Sequence, residues 1–305
     1  MRFTPRISVI IPALNEEVLL AELLNDLQQQ DFDGLEVIVA DAGSTDGTRA
    51  VAETYGAKVV PGGLPAVGRN AGARAAQGEF LFFLDADVRL PAYFLTNAYR
   101  ELQNRFLDLA TCPIVALSEH PLDIFLHDFT NLAIQVGQFI DPHAPGSCVL
   151  VSRRLYERVG GFNEDLKLAE DHDFVKRASE FRPLRVLATT SVHFSVRRLE
   201  KEGRVKLAQK YLAVEFYRSF KGEIREDIFD YEFGAFTPKS TAQSKGLENL
   251  KKVQLTMAAL QQEYSALLQQ TLARGKRIPE EQINHFKQGF DQFKTQIKTL
   301  FKPKD

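Results

Sequence analysis

The chain has 305 residues, 44% of them hydrophobic and 26% charged, with a formal net charge of −2 at pH 7. That length is more than one ordinary domain needs, and that composition excludes wholesale disorder. The charge is uneven: residues 245–305 hold 11 Lys and Arg against 6 Asp and Glu, so the rest of the chain is net acidic. An acidic main body weighs against a nucleic-acid enzyme.

The N-terminus, MRFTPRISVI, has no long apolar core, so no signal peptide is expected. No run of about eighteen apolar residues predicts a membrane-spanning helix. The two cysteines, Cys112 and Cys148, have neither metal-ligand nor redox-motif spacing. Together these predict a protein of the reducing cytoplasm, with peripheral contact at the cytoplasmic face of a membrane as a further option for the basic C-terminal end.

In chain order, Ile7–Pro12 is a β-branched apolar run and predicts a buried strand. Residues 16–30 carry Leu at 19, 20, 23, 24 and 27, the spacing of an amphipathic helix. Leu35–Ala40 predicts a second strand, residues 41–47 a loop, 48–55 a helix and Lys58–Pro61 a third strand. Residues 67–77 predict a helix rich in Ala and Gly, able to pack close against a sheet. Residues 79–84 predict a fourth strand that ends at Asp85. This β-α-β-α-β-α-β alternation predicts an α/β fold with a mostly parallel sheet flanked by helices.

The middle of the chain is less regular. Pro121–Ile140 has a helix-spaced apolar stripe with His127 and Asp128 inside it and predicts a core-facing helix. Short elements follow: a strand at 149–151, a helix at 154–159 closed by Gly160-Gly161, a helix at 171–181, a strand at 185–189 and a long helix at 202–220. Residues 1–222 are taken as the catalytic domain and 223–246 as a linker. Residues 247–305 then show two apolar seams with alternating steps of three and four, separated by Gly275 and Pro279. They predict an antiparallel, coiled-coil-like helical hairpin. Two short helices bury little surface alone, so a homodimer or a partner complex through this segment is expected.

Ligands of open parallel sheets sit beyond the carboxyl ends of the strands. Asn15 and Glu16 follow the first strand, Asp41 the second, and Asp85-Ala86-Asp87 the fourth. Two aspartates one residue apart at a strand end suit a hard divalent cation, Mn²⁺ or Mg²⁺. Such an ion can neutralise a diphosphate as it leaves. Glu170-Asp171 opens a helix, where carboxylates complement the helix dipole. Asp171 is the preferred general base, because an acceptor hydroxyl attacks well only as its proton is removed.

The segments "SVIIPALNE", "VIVADAGSTDGT", "GRNAGARAAQGEFLFFLDAD" and "GGFNEDLKLAEDHDF", in that order and spacing across roughly residues 6–200, resemble the family 2 glycosyltransferases. The resemblance implies a GT-A fold and an inverting transfer of sugar from a nucleotide-diphosphate donor to a saccharide or lipid-linked acceptor. It implies that Pro12, Asn15 and Glu16 lie along the nucleotide, that Asp41 contacts the base, typically uracil, and that Arg69 and Asn70 sit near the diphosphate. Asp85, Ala86 and Asp87 would form the metal–diphosphate motif and Asp171 the base. Glu170, His172 and Asp173 would tune or position that base. His193 is a candidate metal or diphosphate ligand, and Arg197 and Arg198 are candidate clasps for phosphate.

Two features depart from the pattern. Ala42 stands where a second Asp often follows Asp41. The chain also has no Trp, so the Gln-x-x-Arg-Trp motif of processive synthases is absent and one sugar per encounter is expected. The alternatives are a nucleotidyltransferase, disfavoured because the first strand runs into an acidic, glycine-free loop, and a non-catalytic assembly protein that works through the C-terminal hairpin. Neither a GxGxxG fingerprint nor a GxxxxGK[ST] loop occurs.

Overall fold

The computed structural model describes residues 5–203 and, beyond them, positions 262, 265, 266, 269, 272, 273, 278–281, 283, 284 and 288. Apart from those positions, the expected linker and hairpin lie outside the described residues. The described chain forms two compact units. One comprises residues 5–115 and 141–195, and the other includes 116–140 and 196–203.

The first unit begins with β1 (Ile7–Ala13), α1 (Glu17–Gln28), β2 (Leu35–Asp41), α2 (Thr48–Thr54), β3 (Lys58–Pro61), α3 (Pro65–Ala75) and β4 (Phe80–Phe83). This is the alternation that the sequence predicts. After it come β5 (Val88–Arg89), α4 (Phe94–Asn104), β6 (Leu109–Thr111) and β7 (Ile114–Ala116). The chain then passes through α5 (Pro121–Ile140) in the second unit. It returns for β8 (Val149–Ser152), α6 (Arg153–Val159), α7 (Glu170–Ser179), β9 (Arg185–Val186) and β10 (Val192–Phe194), and leaves again at α8 (Arg197–Glu202).

Seven strands form the main sheet in the order β3-β2-β1-β4-β8-β6-β9. β1 runs parallel to both β2 and β4, and β8 runs antiparallel to both β4 and β6. The chain winds outward from β1 to β3, then crosses back through α3 to β4 on the other side of β1. The switch point of the sheet therefore lies between the carboxyl ends of β1 and β4, where loops part and leave a crevice.

Alternate residues of β1 enter two cores. Ile7, Val9 and Ile11 pack with Leu20, Leu23, Leu24 and Leu27 of α1 and with Phe94 and Leu102 of α4. Ile10 faces the opposite layer, which holds Ala66 and Ala73 of α3, Leu155 of α6 and Phe174 and Val175 of α7. Burial on both faces is why β1 reads as a continuous apolar run. It also places α3 and α7, the helices that carry Arg69 and Asp171, on one side of the sheet.

Several segments differ from the expectation, and β5, β6, β7 and β10 have no counterpart in it. The helix α4 was missed, although Phe94, Leu95, Ala98, Glu101 and Leu102 are buried on one face. The strand expected at 185–189 stops at Val186, and beyond it the Glu101 carboxylate accepts the amides of Ala188 and Thr189. The helix expected from residue 202 can be compared only at its first two positions: Glu202 is the last residue of α8 (Arg197–Glu202), and Gly203 is non-helical at φ +89°. Its expected continuation lies outside the described residues. The cysteines, 36 residues apart, are neighbours, with Sγ atoms 2.8 Å from each other in the core. The antiparallel pairing of β6 with β8 returns the chain to the same rung, so sequence spacing carried no information there. Burial pushes the Cys112 thiol well up, which suits a packing role.

In the second unit, Leu132, Ile134 and Val136 of α5 are buried, and Val196 and Leu199 pack with Ala116 and Leu126. Among the described residues no helix is long and apolar enough to cross a membrane.

α3 lies close on β1. A Cβ at Gly68 would sit 3.3 Å from Cβ of Pro12, and one at Gly72 would run into Cγ2 of Ile10. In an exposed helix Gly→Ala gains about 1 kcal/mol, whereas overpacking a core costs about 1–3 kcal/mol. Gly72→Ala is therefore expected to lower the unfolding free energy in urea titrations. A gain would show that α3 and β1 stand further apart.

Candidate active site

The loop after β1 is stitched to the loop after β2. Asn15 adopts φ +55°, a left-handed turn that Asn tolerates better than most residues. Its backbone N–H donates to Ser44 Oγ at 2.9 Å, and its side-chain oxygen accepts from the Thr45 amide at 2.9 Å. The Glu16 amide donates to Thr48 Oγ1 at 2.8 Å. Asp46 accepts from the Thr48 amide and hydroxyl and from the Glu17 amide. Although its slight burial opposes the shift, those bonds hold its carboxyl below the usual range. Asp41 is buried at the end of β2 and accepts from the amides of Gly43 and Ser44, with Arg49 at 3.7 Å. Pro12 stays inside β1, opposite Ala40. Asn15 and Asp41 thus shape their own loops as well as lining the sheet edge.

At the end of β4, Ala86 is buried in the core while Asp85 and Asp87 on either side of it are half-exposed. Anchoring the middle residue brings both carboxylates out at the switch point. The turn leads into β5, which pairs antiparallel with β10, so that His193 stands opposite Arg89. The Ser195 amide donates to the Asp87 carbonyl at 3.2 Å. His193 therefore sits on the ribbon that extends from Asp87. Arg197 and Arg198 open α8 in the second unit.

Across from Asp85 is the start of α7. Ala169 caps it at φ +60°, and Glu170, Asp171 and Asp173 fill its first turn, where the helix dipole favours negative charge. Arg69, reaching from α3, is only 3% exposed. Its Nη2 donates to Asp85 Oδ1 at 2.8 Å and its Nη1 pairs with Glu170 Oε1. Burial alone would lower the guanidinium, but the carboxylates of Asp85, Glu170 and Asp171 raise it above its ordinary value. Burial raises Glu170, with Arg69 pulling the other way.

Asp171 accepts from the Gly146 amide at 2.5 Å and from the His172 amide at 2.8 Å. Burial raises its carboxyl above the usual range, against the pull of Arg69. The segment before β8 follows the start of α7 closely: His143 stacks on His172 with ring centroids 5.1 Å apart, and Asp141 lies 3.6 Å from Lys176.

Asn70, the neighbour of Arg69, has its side chain bonded to protein groups. Its amide group donates to the Phe162 carbonyl and to Glu164, and it accepts from the Phe162 amide and the Tyr156 hydroxyl. It ties α3 to the glycine turn that precedes α7. Gly146, Tyr156, Phe162 and His143 were not singled out in the sequence. Each acts on a residue that is distant in the chain, and no local spacing marks them.

Whether Asp85 and Asp87 suit Mn²⁺ or Mg²⁺ follows from the donors. Both offer hard carboxylate oxygens, and around Arg69 three carboxylates face one cation. Among the described residues no three His, Cys, Asp or Glu side chains form a cage. An ion held by one or two carboxylates plus substrate phosphates needs no such cage, so these residues fit it.

Known proteins place this chain in a family. The profile described as Glycosyl transferase family 2 matches residues 8–160. The poly(ribitol-phosphate) beta-N-acetylglucosaminyltransferase TarS of Staphylococcus aureus is 29% identical over 189 residues, which are 57% of this chain and 32% of TarS. The GalNAc(5)-diNAcBac-PP-undecaprenol beta-1,3-glucosyltransferase of Campylobacter jejuni is 36% identical over 99 residues, 28% of this chain and 31% of that protein. The chain thus spans about a third of the length of these curated relatives. Two solved structures share the fold. The mannosyltransferase PcManGT from Pyrobaculum calidifontis, in complex with GDP-Man and Mn²⁺, is 21% identical with a TM-score of 0.57, over 99% of this chain and 89% of that one. TarS 1–349 of S. aureus with UDP-GlcNAc is 20% identical with a TM-score of 0.53, over 95% and 92%. The match over half the chain and the sheet that carries the matched motifs have one reading: this chain belongs to glycosyl transferase family 2.

Proposed function

We propose that the chain transfers a single sugar per encounter from a nucleotide-diphosphate donor, a UDP-sugar by preference, to a hydroxyl of a glycan or lipid-linked acceptor. The observation that carries this reading is the span of Arg69. One side chain touches both the carboxylate that ends β4 and the carboxylate that opens α7, so the two halves of a transfer site face each other across the switch point.

The loops after β1 and β2 receive the nucleoside, with Asp41 and Glu16 as acceptors for base and ribose donors. Asp85 and Asp87 would hold Mn²⁺ or Mg²⁺, which supplies Lewis-acid neutralisation of the leaving diphosphate. Asp171 removes the proton of the attacking hydroxyl. A single base opposite the leaving group gives one in-line displacement and inverts the anomeric centre. Both Asp171 oxygens already accept backbone amides. Those bonds fix its orientation, and each oxygen keeps a further lone pair for the acceptor. The related structures hold UDP-GlcNAc in one case and GDP-Man with Mn²⁺ in the other, so the nucleotide is best settled by direct comparison.

Thermal unfolding with UDP, GDP, dTDP and CDP, each with and without Mn²⁺, tests the donor site. A nucleotide at about a hundred times its Kd stabilises the fold by about 2.7 kcal/mol. UDP with Mn²⁺ is expected to raise the melting temperature of the wild type and to leave Asp85→Ala unmoved. No response to any nucleotide would sink the reading.

The pH dependence tests the base. A base works deprotonated, so the rate falls as pH drops through the folded-state pKa of Asp171, which burial has raised. The acid limb of kcat is expected above the ordinary aspartate value of about 3.9. Asp171→Asn should abolish transfer while nucleotide binding persists. Transfer by that variant would remove Asp171 from the chemistry.

A further inference from the structure

The geometry points to Arg69 as a positioning residue that couples the donor-side carboxylate Asp85 to the base Asp171 by way of Glu170 and the Gly146 loop, in place of a direct contact with the diphosphate. This rests on the reading of Asp85 and Asp171 given above.

Both ends of the guanidinium fork are committed to protein carboxylates, Nη2 to Asp85 and Nη1 to Glu170. Two of its five N–H donors are used in this way, and with the side chain only 3% exposed a phosphate would have to open the packing around it to reach the others. The stem is equally fixed: the guanidinium carbon lies 5.6 Å from the centre of the Phe162 ring, which belongs to the turn that Asn70 ties down. Nε is buried with no hydrogen-bond partner among the described residues. The side chain therefore forgoes one bond in order to make the other two, as expected if the carboxylates dictate its placement.

Gly146 shows how tightly the base is fitted against this fork. A Cβ at Gly146 would run into Arg69 Nη2 and lie 3.0 Å from Asp171 Oδ2. Only a residue without a side chain lets the loop amide reach Asp171 while the guanidinium passes beside it. Asp171 is thus held by the Gly146 amide on a loop that runs past the guanidinium, and it follows Glu170, which that guanidinium pairs with, in the chain. Moving Arg69 would move both the base and the carboxylate that faces it. A lysine keeps the charge but offers a single point in place of a planar fork, so it can hold Asp85 or Glu170 but not both.

The test separates binding from chemistry. Nucleoside diphosphate release from the nucleotide sugar is followed for wild type, Arg69→Lys and Glu170→Gln, and UDP affinity in Mn²⁺ is measured by calorimetry. Misplacing a catalytic group by an ångström costs about a hundredfold in rate, and Arg69→Lys is expected to lose about that much in kcat. Its UDP Kd should stay within about threefold, because a positioning change acts on kcat and not on ground-state binding. A tenfold or weaker Kd with kcat unchanged would make Arg69 a diphosphate ligand and overturn the inference. So would full activity in Arg69→Lys. Should Arg69→Lys fail to fold, Glu170→Gln keeps the Asp85 contact and reads the same coupling: kcat falls and Kd holds, and an unchanged kcat overturns it. If the wild type releases nothing from any donor, the transferase reading is what fails. The bridge is then read from melting temperatures of Asp85→Asn, Glu170→Gln and the double variant. Shifts smaller than additive show a shared partner, and additive shifts show none.

Discussion

The site depends on one buried cation. A guanidinium taken out of water must find carboxylates in good geometry, because its desolvation is otherwise unrecovered. Arg69 finds Asp85 on one side and Glu170 on the other. Those residues lie at the ends of two elements whose bodies share one core, through Phe83 of β4 and Phe174 of α7, and the ion pairs bring their ends together. Breaking such a contact strands an uncompensated charge, so the position of α7 relative to the end of β4 is strongly specified. The excess of negative charge that remains around Arg69 is the electrostatic setting in which a divalent ion and a base can both operate.

The sheet supplies the frame for that contact. Its direction of winding reverses after β3, and α3 returns across β1 with Gly68 and Gly72 against the strand. Close approach at those glycines brings Arg69 and Asn70, in the same helix, to the level of the strand ends. Asn70 then fixes the turn before α7 and Arg69 fixes the helix start. Two neighbouring residues of α3 thereby set the start of α7 against the end of β4.

The first half of the fold was legible because β1 to β4 alternate with helices long enough to show their period. Elements of two or three residues, such as β5, β6 and β7, have no period to read, whereas α4 has one that the sequence reading did not use. The placement of polar residues was legible for a topological reason: Asp41 ends a parallel strand, Asn15 and Asp85 each follow one, and the strands share a carboxyl edge. What the sequence could not show was how side chains are occupied. The bonds of Asn70 reach residues near 160, those of Arg69 reach residue 170, and the cysteines meet through an antiparallel return. All are contacts across long stretches of chain, and no spacing rule encodes them.

On the proposed function, the crevice between β1 and β4 holds a nucleoside diphosphate with its cation at Asp85 and Asp87, facing Asp171. Crystals grown with UDP and Mn²⁺, with diffraction recorded at the manganese edge, test it most directly. The account predicts an anomalous peak within bonding distance of an Asp85 or Asp87 oxygen and of the diphosphate, with the uracil over the loops after β1 and β2. A nucleotide bound elsewhere, or bound in this crevice with manganese on other residues, would contradict it.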